Sequence, residues 1–201
     1  MDWEISADRV VAMDCEMVGV GEDGVRSILA RISLVDFYGN LLLDTFVKPT
    51  EPVTNYRTFV SGVRPHDLNS PAAMEFQVCR SLVQRFLLDK ILVGHGLNND
   101  LEVLRLTHQW YHLRDSATYG PFLKPGCRPK RLKELAAEEL GISIQREGDE
   151  HCSLEDARAV MMLYRNKQRE WDDAITAQRN FVLHCPLRDL CSRPVLLIDI
   201  R

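Results

Sequence analysis

Residues 9–17 read Arg-Val-Val-Ala-Met-Asp-Cys-Glu-Met, an apolar and β-branched run broken after Arg9 only by Asp14 and Glu16. Such a run specifies a β-strand. Side chains alternate along a strand, so Asp14 and Glu16 share one face while Met13 and Cys15 share the other. Two neighbouring carboxylates repel unless a proton or a cation sits between them, and an oxygen-rich pair suits Mg²⁺ or Mn²⁺. A plain surface acidic pair is the competing reading, but the wholly apolar start of the strand argues against it.

Working outward, Val18-Gly19-Val20-Gly21 reads as a loop, residues 27–37 as a second strand, Tyr38-Gly39-Asn40 as a turn and residues 41–47 as a third strand. Short links make the three an antiparallel meander. Residues 48–73, with four prolines and no helical period, read as a long functional loop. Residues 74–88 place apolar side chains at 74, 78, 82, 83 and 86, a helical face leading into a short buried strand at 90–94. A helix over 98–107, a strand near 112–116, a basic loop at 124–131 and a helix over 131–140 stopped by Gly141 follow. The last helix opens at Ser153 and carries Ala157, Val160, Met161, Tyr164 and Trp171 on one face. Strands followed by alternating helices and strands predict an α/β domain with a mixed central sheet flanked by helices. Ligands in such sheets collect beyond the carboxyl ends of strands.

Composition bounds the function. The chain has 201 residues, 45% hydrophobic and 27% charged, enough for one domain whose folding buries roughly 70% of the unfolded surface without disulfides. Six cysteines show no C-x-x-C pair and no zinc-ligand spacing, which points to a reduced, intracellular protein. No run approaches the length of a membrane span and no signal-peptide core opens the chain. A net charge of −4 excludes coating of nucleic acid by charge alone. Nucleic acid at a metal site remains compatible, because a carboxylate cluster becomes phosphate-binding once cations load.

Two further clusters carry chemistry. In Gly94-His95-Gly96-Leu97-Asn98-Asn99-Asp100, a strand turns into a helix and Asp100 falls in the first helical turn. A helix-start acid favoured by the dipole is the competing account of Asp100, and loop hydrogen bonding that of His95 and Asn99. In His151-Cys152-Ser153-Leu154-Glu155-Asp156, Ser153 and Asp156 have capping-box spacing. Capping does not explain His151, a candidate general base just outside the helix.

Four acids and one histidine thus arrive in the order D-x-E, D, H-x4-D. This set resembles the DEDDh family of 3′→5′ exonucleases. The words AMDCEMVGVG (12–21), VKPTEPVTNYRTFVSGVRP (47–65), ILVGHGLNNDL (91–101) and EHCSLEDARAVMMLY (150–164) are similar to its RNA exonuclease 4 branch, with interferon-stimulated exonucleases as relatives. The resemblance covers residues 9–173. It implies a ribonuclease H-like fold with a five-stranded mixed sheet, an exonuclease domain over 1–175 and an unassigned tail over 176–201. It further implies two divalent ions, Mg²⁺ or Mn²⁺: Asp14, Glu16 and Asp156 would hold one, and Asp14 with Asp100 the other. His151 would take a proton from the attacking water, and the product would be a nucleoside 5′-monophosphate.

By the same resemblance Met17, Arg57, His95 and Asn99 approach the terminal nucleotide, Arg57 through a ribose hydroxyl or a phosphate. A brace of the loop backbone is the other reading of Arg57. Arg128, Lys130 and Arg131 would either guide the phosphate backbone or form a solvated face. The implied protein is a monomeric exoribonuclease of precursor RNA such as ribosomal RNA, in the nucleus or nucleolus, with no membrane partner. The basic N-terminal extension common in the branch has no counterpart in this sequence. The rivals are the same hydrolase aimed at DNA, and an RNA-binding assembly factor with vestigial activity. A missing catalytic acid would mark the latter, and all five residues are present.

Overall fold

The computed structural model describes residues 5–146 and 148–184. Strands β1 (Val10–Val20), β2 (Arg26–Asp36) and β3 (Leu41–Phe46) form the expected antiparallel meander. β1 runs further than the sequence suggests. Val18-Gly19-Val20 stays in the sheet because both valines are fully buried. A Cβ on Gly19 would stand 2.0 Å from the Gly24 carbonyl oxygen, so glycine here answers a close backbone approach and not a turn.

On the other side of β1 lie β5 (Ile91–Gly94) and β6 (Leu113–Asp115), both parallel to it, in the order β3-β2-β1-β5-β6. These five strands are the predicted mixed sheet. A sixth, β4 (Val53–Asn55), pairs antiparallel with the far end of β1 at Gly19 and Val20. It lies in the segment expected to be a plain loop, together with two one-turn helices, α1 (Thr58–Ser61) and α2 (Pro65–Leu68). Elements of three or four residues are too short to show a period.

The register has one consequence for the site. β1 pairs with β5 only over Val10–Ala12 and with β4 only from Gly19. Between these, the edge of β1 opposite β2 has no strand beside it, and Asp14 and Glu16 fall in that gap. They therefore sit in mid-strand, at the carboxyl edge of the parallel part of the sheet.

Helices cover both faces. The odd residues Val11, Met13 and Cys15 pack against α3 (Phe76–Leu87) and α4 (Leu97–Leu104), and the even residues Val10 and Ala12 against α6 (Ser153–His184). Each fully buried large apolar side chain contributes roughly 1.5–3 kcal/mol. The buried face of α3 is Phe76, Cys79, Val83 and Leu87. Val78, expected on that face, is 57% exposed, because two residues turn the helix about 200°. Residues 131–140 form α5 (Leu132–Leu135), which widens into a π-turn over Ala136–Leu140 and ends at Gly141 in the left-handed region, φ 68°. The expected buried face of α6 is confirmed at all five positions. That helix passes position 175 without a break to His184. The Val195–Ile200 segment of the expected tail lies outside the described residues.

Under α6 sits a buried ion pair. Arg114 Nε donates to Asp172 Oδ1 at 2.7 Å, Tyr164 OH donates to Asp172 Oδ2 at 2.9 Å, and Arg114 Nη1 donates to the Tyr111 and Leu113 carbonyls. Removing one partner of such a pair strands the other charge. Asp172→Ala is expected to destabilise the fold by about 3–5 kcal/mol, and Asp172→Ala with Arg114→Met by much less. Thermal unfolding of the two variants checks this, and an unchanged midpoint for Asp172→Ala would refute it.

Candidate active site

The three carboxylates of Asp14, Glu16 and Asp156 offer ligand oxygens that all lie within 4.8 Å of one another. Asp14 and Glu16 come from β1 opposite Ser33 and Arg31 of β2, and the register shifts immediately after Glu16. Such a bulge changes the aim of the side chains beyond it. Asp156 comes from the first turn of α6. Ser153 does not cap that helix through a box with Asp156, as its spacing suggested. Its hydroxyl lies 2.7 Å from Ser33 Oγ, pinning the start of α6 to β2. Asp156 is thereby released from capping and faces the other acids, with Oδ2 accepting from Gln145 Nε2 at 2.7 Å.

Asp100 reaches the group from the opposite face of the sheet, on α4. Asp100 lies in the first turn of α4, as its sequence position suggests, while the leading N–H groups of that turn are taken by Asp115 of β6: Gly96 N–H donates to Asp115 Oδ1 at 2.8 Å and Leu97 N–H to Oδ2 at 2.9 Å. The turn is tight. A Cβ on Gly94 would stand 2.3 Å from the Leu97 side chain.

The acids raise one another's cost of ionisation. Burial, together with the charges of Asp100, Asp156 and Glu16, pushes the Asp14 carboxyl well above the usual carboxylate range. Burial pushes Glu16 up to about 8, Asp100 to about 7 and Asp156 to about 6. Glu16 Oε1 and Asp156 Oδ1 are buried with no hydrogen-bond partner. Buried polar atoms are normally satisfied, and two orphaned carboxylate oxygens in one cluster fit a hard divalent cation.

Two cavities meet at Asp14, Cys15 and His95. One, of about 570 Å³, is lined by Met17, Val25, Ser27, Asn99 and Asp100. The other, of about 440 Å³, is lined by Glu16, Val60, Arg131, Lys133, Gln145, His151 and Asp156. His151 is half-buried, and burial followed by the charge of Lys133 lowers its pKa, which keeps the imidazole neutral at pH 7. His95 Nδ1 lies 2.9 Å from Ser116 Oγ, whose own hydrogen goes to the Gly94 carbonyl at 3.0 Å.

Met17, His95 and Asn99 line a cavity together with Asp14 and Asp100. Arg57 is not a wall residue. Its Nη1 donates to Ser27 Oγ and its Nη2 to the Gly24 and Val25 carbonyls, each at 2.8 Å. Three of its five donors are engaged with the β1–β2 turn and the start of β2, which supports the reading of Arg57 as a brace of this backbone. The sequence reading missed Asp115, Ser33 and Gln145. Only a three-dimensional neighbour gives them meaning, and no motif spacing marks them.

Residues 11–164 match the exonuclease family, RNase T type. The chain belongs to the exonuclease family. It is 48% identical to RNA exonuclease 4 of Mus musculus over 174 residues, which is 85% of this chain and 39% of that protein. It is 46% identical to RNA exonuclease 4 of Homo sapiens over 187 residues, 92% of this chain and 42% of that protein. The chain spans about two fifths of the length of these relatives. Among solved structures, the Saccharomyces cerevisiae Pan2 pseudoubiquitin hydrolase-RNA exonuclease module in complex with A7 RNA is similar, at 30% identity with TM-score 0.71, covering 91% of this chain and 33% of that one. The apo form of the module is also 30% identical, with TM-score 0.71, over 94% of this chain and 33% of that one. The ribonuclease H-like fold and the DEDDh character of the domain follow from family and architecture together.

Raised carboxyl pKa values have a thermodynamic sign. A folded-state pKa above the unfolded value adds stability that is full below about pH 4 and is lost as pH rises through the folded value. For Glu16 the window runs from its ordinary 4.5 to about 8. The lowered histidines, His95, His108, His112 and His151, act in the opposite sense, so the useful quantity is a difference. In chelator, Glu16→Gln is expected to unfold at a higher temperature than the native chain, by a margin that grows from pH 5 to pH 8. Thermal scans at several pH values test this, and a margin independent of pH would count against it.

Proposed function

We propose that this chain is a divalent-metal-dependent 3′→5′ exoribonuclease that acts as a monomer and releases nucleoside 5′-monophosphates. The observation carrying this reading is the trio Asp14, Glu16 and Asp156, with two orphaned buried oxygens, beside a neutral histidine and an open cavity. Asp14, Glu16 and Asp156 would hold one cation, and Asp14 with Asp100 a second. Bound there, divalent cations supply Lewis acidity that lowers the pKa of water and neutralises charge developing on the phosphate.

The remaining work belongs to the chain. His151 accepts the proton of the attacking water at an imidazole nitrogen, a role for which its lowered pKa and its place beside Asp156 suit it. Met17 and Asn99 face the terminal nucleotide from one cavity, with Met17 offering a polarizable apolar surface. Arg57 acts indirectly, by fixing the Val25 and Ser27 wall of that cavity. RNA is favoured over DNA as substrate by the likeness to the RNA exonuclease 4 proteins and to a Pan2 module solved with RNA. Ribosomal RNA precursors, in the nucleus, are the substrate class and place that the resemblance implies. None of the helices among the described residues is long and apolar enough to cross a membrane.

With Mg²⁺ or Mn²⁺, 5′-labelled RNA should shorten one nucleotide at a time from its 3′ end, and 3′-labelled RNA should release labelled monophosphate at once. Internal fragments from the start would sink the exonuclease reading. Asp14→Asn, Glu16→Gln, Asp100→Asn and Asp156→Asn should each remove most activity from a folded protein. His151→Ala should cost about 10²–10⁴-fold in rate and abolish the acid limb of the native pH profile, which the lowered pKa of His151 moves toward lower pH. A rate and limb that both survive the substitution would remove His151 from the mechanism. Because Arg57 touches the protein and not the sugar, Arg57→Ala is expected to slow cleavage of matched RNA and DNA oligomers by similar factors. A loss confined to RNA would restore it as a hydroxyl contact.

A further inference from the structure

The cavity that holds Glu16, Asp156 and His151 is walled on one side by Arg131 and Lys133, at the start of α5, and on another by Val60 of α1. Two other cations of this region carry ion pairs at the surface: Lys124 with Glu134 at 2.8 Å and Lys130 with Glu138 at 2.5 Å. Among the described residues, no carboxylate is in ion-pair contact with Arg131 or Lys133. Two unpaired cations thus border a cavity built to receive a phosphodiester.

Beside them, α1 presents an apolar tip. Phe59 is 80% exposed, and Val60 next to it is partly exposed. An exposed large aromatic on a one-turn helix would ordinarily be poorly held, but α1 is fixed on both sides. Thr58 Oγ1 donates to the Val63 carbonyl at 2.7 Å and Ser61 Oγ to the Tyr56 carbonyl at 2.9 Å. The backbone N–H of His151 donates to the Val60 carbonyl at 2.8 Å, so the tip is tied directly to the histidine. An exposed aromatic, one residue from the Val60 wall of a cationic groove and carried on a hydrogen-bonded backbone, is the kind of arrangement by which proteins hold single-stranded nucleic acid without reading its sequence.

We propose that the cleft between α1 and the start of α5 is a binding track for single-stranded RNA adjoining the reacting nucleotide, with Arg131 and Lys133 on its phosphates and Phe59 stacked on a base. Charge complementarity selects this occupant: among the described residues the two cations have no ion-pair partner, and the substrate proposed for the adjacent site is a polyanion. The basic loop is therefore not one solvated face. Lys130 belongs to the fold, while Arg131 and Lys133 belong to the substrate. The proposal rests on the hydrolase reading above for the identity of the strand, and its test separates the two.

The probes are a single-stranded RNA octamer and uridine 5′-(p-nitrophenyl phosphate), a mononucleotide ester too short to enter the track. Arg131→Ala, Lys133→Ala and Phe59→Ala alter exposed side chains, and circular dichroism confirms that each folds. Each is expected to raise KM for the octamer about tenfold; kcat and hydrolysis of the ester stay within about twofold of native for Arg131→Ala and Phe59→Ala, while Lys133→Ala, which removes a charge that lowers the His151 pKa, also shifts the acid limb of ester hydrolysis upward. Phe59→Trp should restore the octamer KM. Binding of labelled octamer, measured by anisotropy in the His151→Ala background, should weaken in step. The doubly substituted Arg131→Ala, Lys133→Ala chain should lose about 1.4 from the slope of log affinity against log salt. Octamer affinity that is unchanged in all three variants would overturn the track. Ester hydrolysis falling as far as octamer hydrolysis would also overturn it, placing the cations on the reacting phosphate itself. A native protein that hydrolyses neither probe, yet binds the octamer through these three residues, would defeat the hydrolase reading and leave the track standing.

Discussion

Repulsion among buried carboxylates is the constraint around which this structure is organised. Asp14, Glu16, Asp100 and Asp156 are brought together in a place where burial alone disfavours their charge, and each raises the cost of ionising Asp14. The apo site is therefore held by the scaffold against its own electrostatics. The scaffold supplies two apolar layers, one under α3 and α4 and one under α6, that lock β1 from both faces. Individual hydrogen bonds then fix each acid: Asp115 holds the start of α4, and the Ser33–Ser153 pair holds the start of α6.

Strand register explains why the site is open at all. β1 is paired along its length with β2 but with β5 only at one end and β4 only at the other. The acids occupy the interval that neither covers. The turn from β5 into α4 and the loop before α6 fill its margins with His95, Asn99, His151 and Gln145. The two cavities flanking Asp14 and His95 are the two sides of this one gap.

Much of this was legible in the sequence because the decisive signals are local. Alternation placed Asp14 and Glu16 on one face of a strand, and a Gly-rich turn placed Asp100 in a first helical turn. His151 and Asp156 were legible as flanking a helix start. What was not legible depends on distant contacts or on very short elements. β4, α1 and α2 carry too few residues to show a period. Val78 was assigned to the wrong face of α3 because Phe76, two positions earlier, sets the phase. Ser153 has the spacing of a cap, but its hydroxyl is claimed by Ser33, 120 residues earlier in the chain. Arg57 matches a family word, yet its guanidinium is directed by the turn at Gly24 and Val25, which nothing near it in sequence reveals.

The central claim is that the acid cluster exists to hold cations and gives up protons when it does so. Calorimetric titration of the chelator-treated protein with Mn²⁺ at pH 7, in two buffers of different ionisation enthalpy, measures both binding and proton release. The account predicts saturable binding with net release of protons, because carboxyls raised toward neutrality must deprotonate to become ligands. It predicts loss of that binding in Glu16→Gln and in Asp156→Asn with the fold intact. Absence of saturable binding, or binding that is undiminished in both variants, would contradict it.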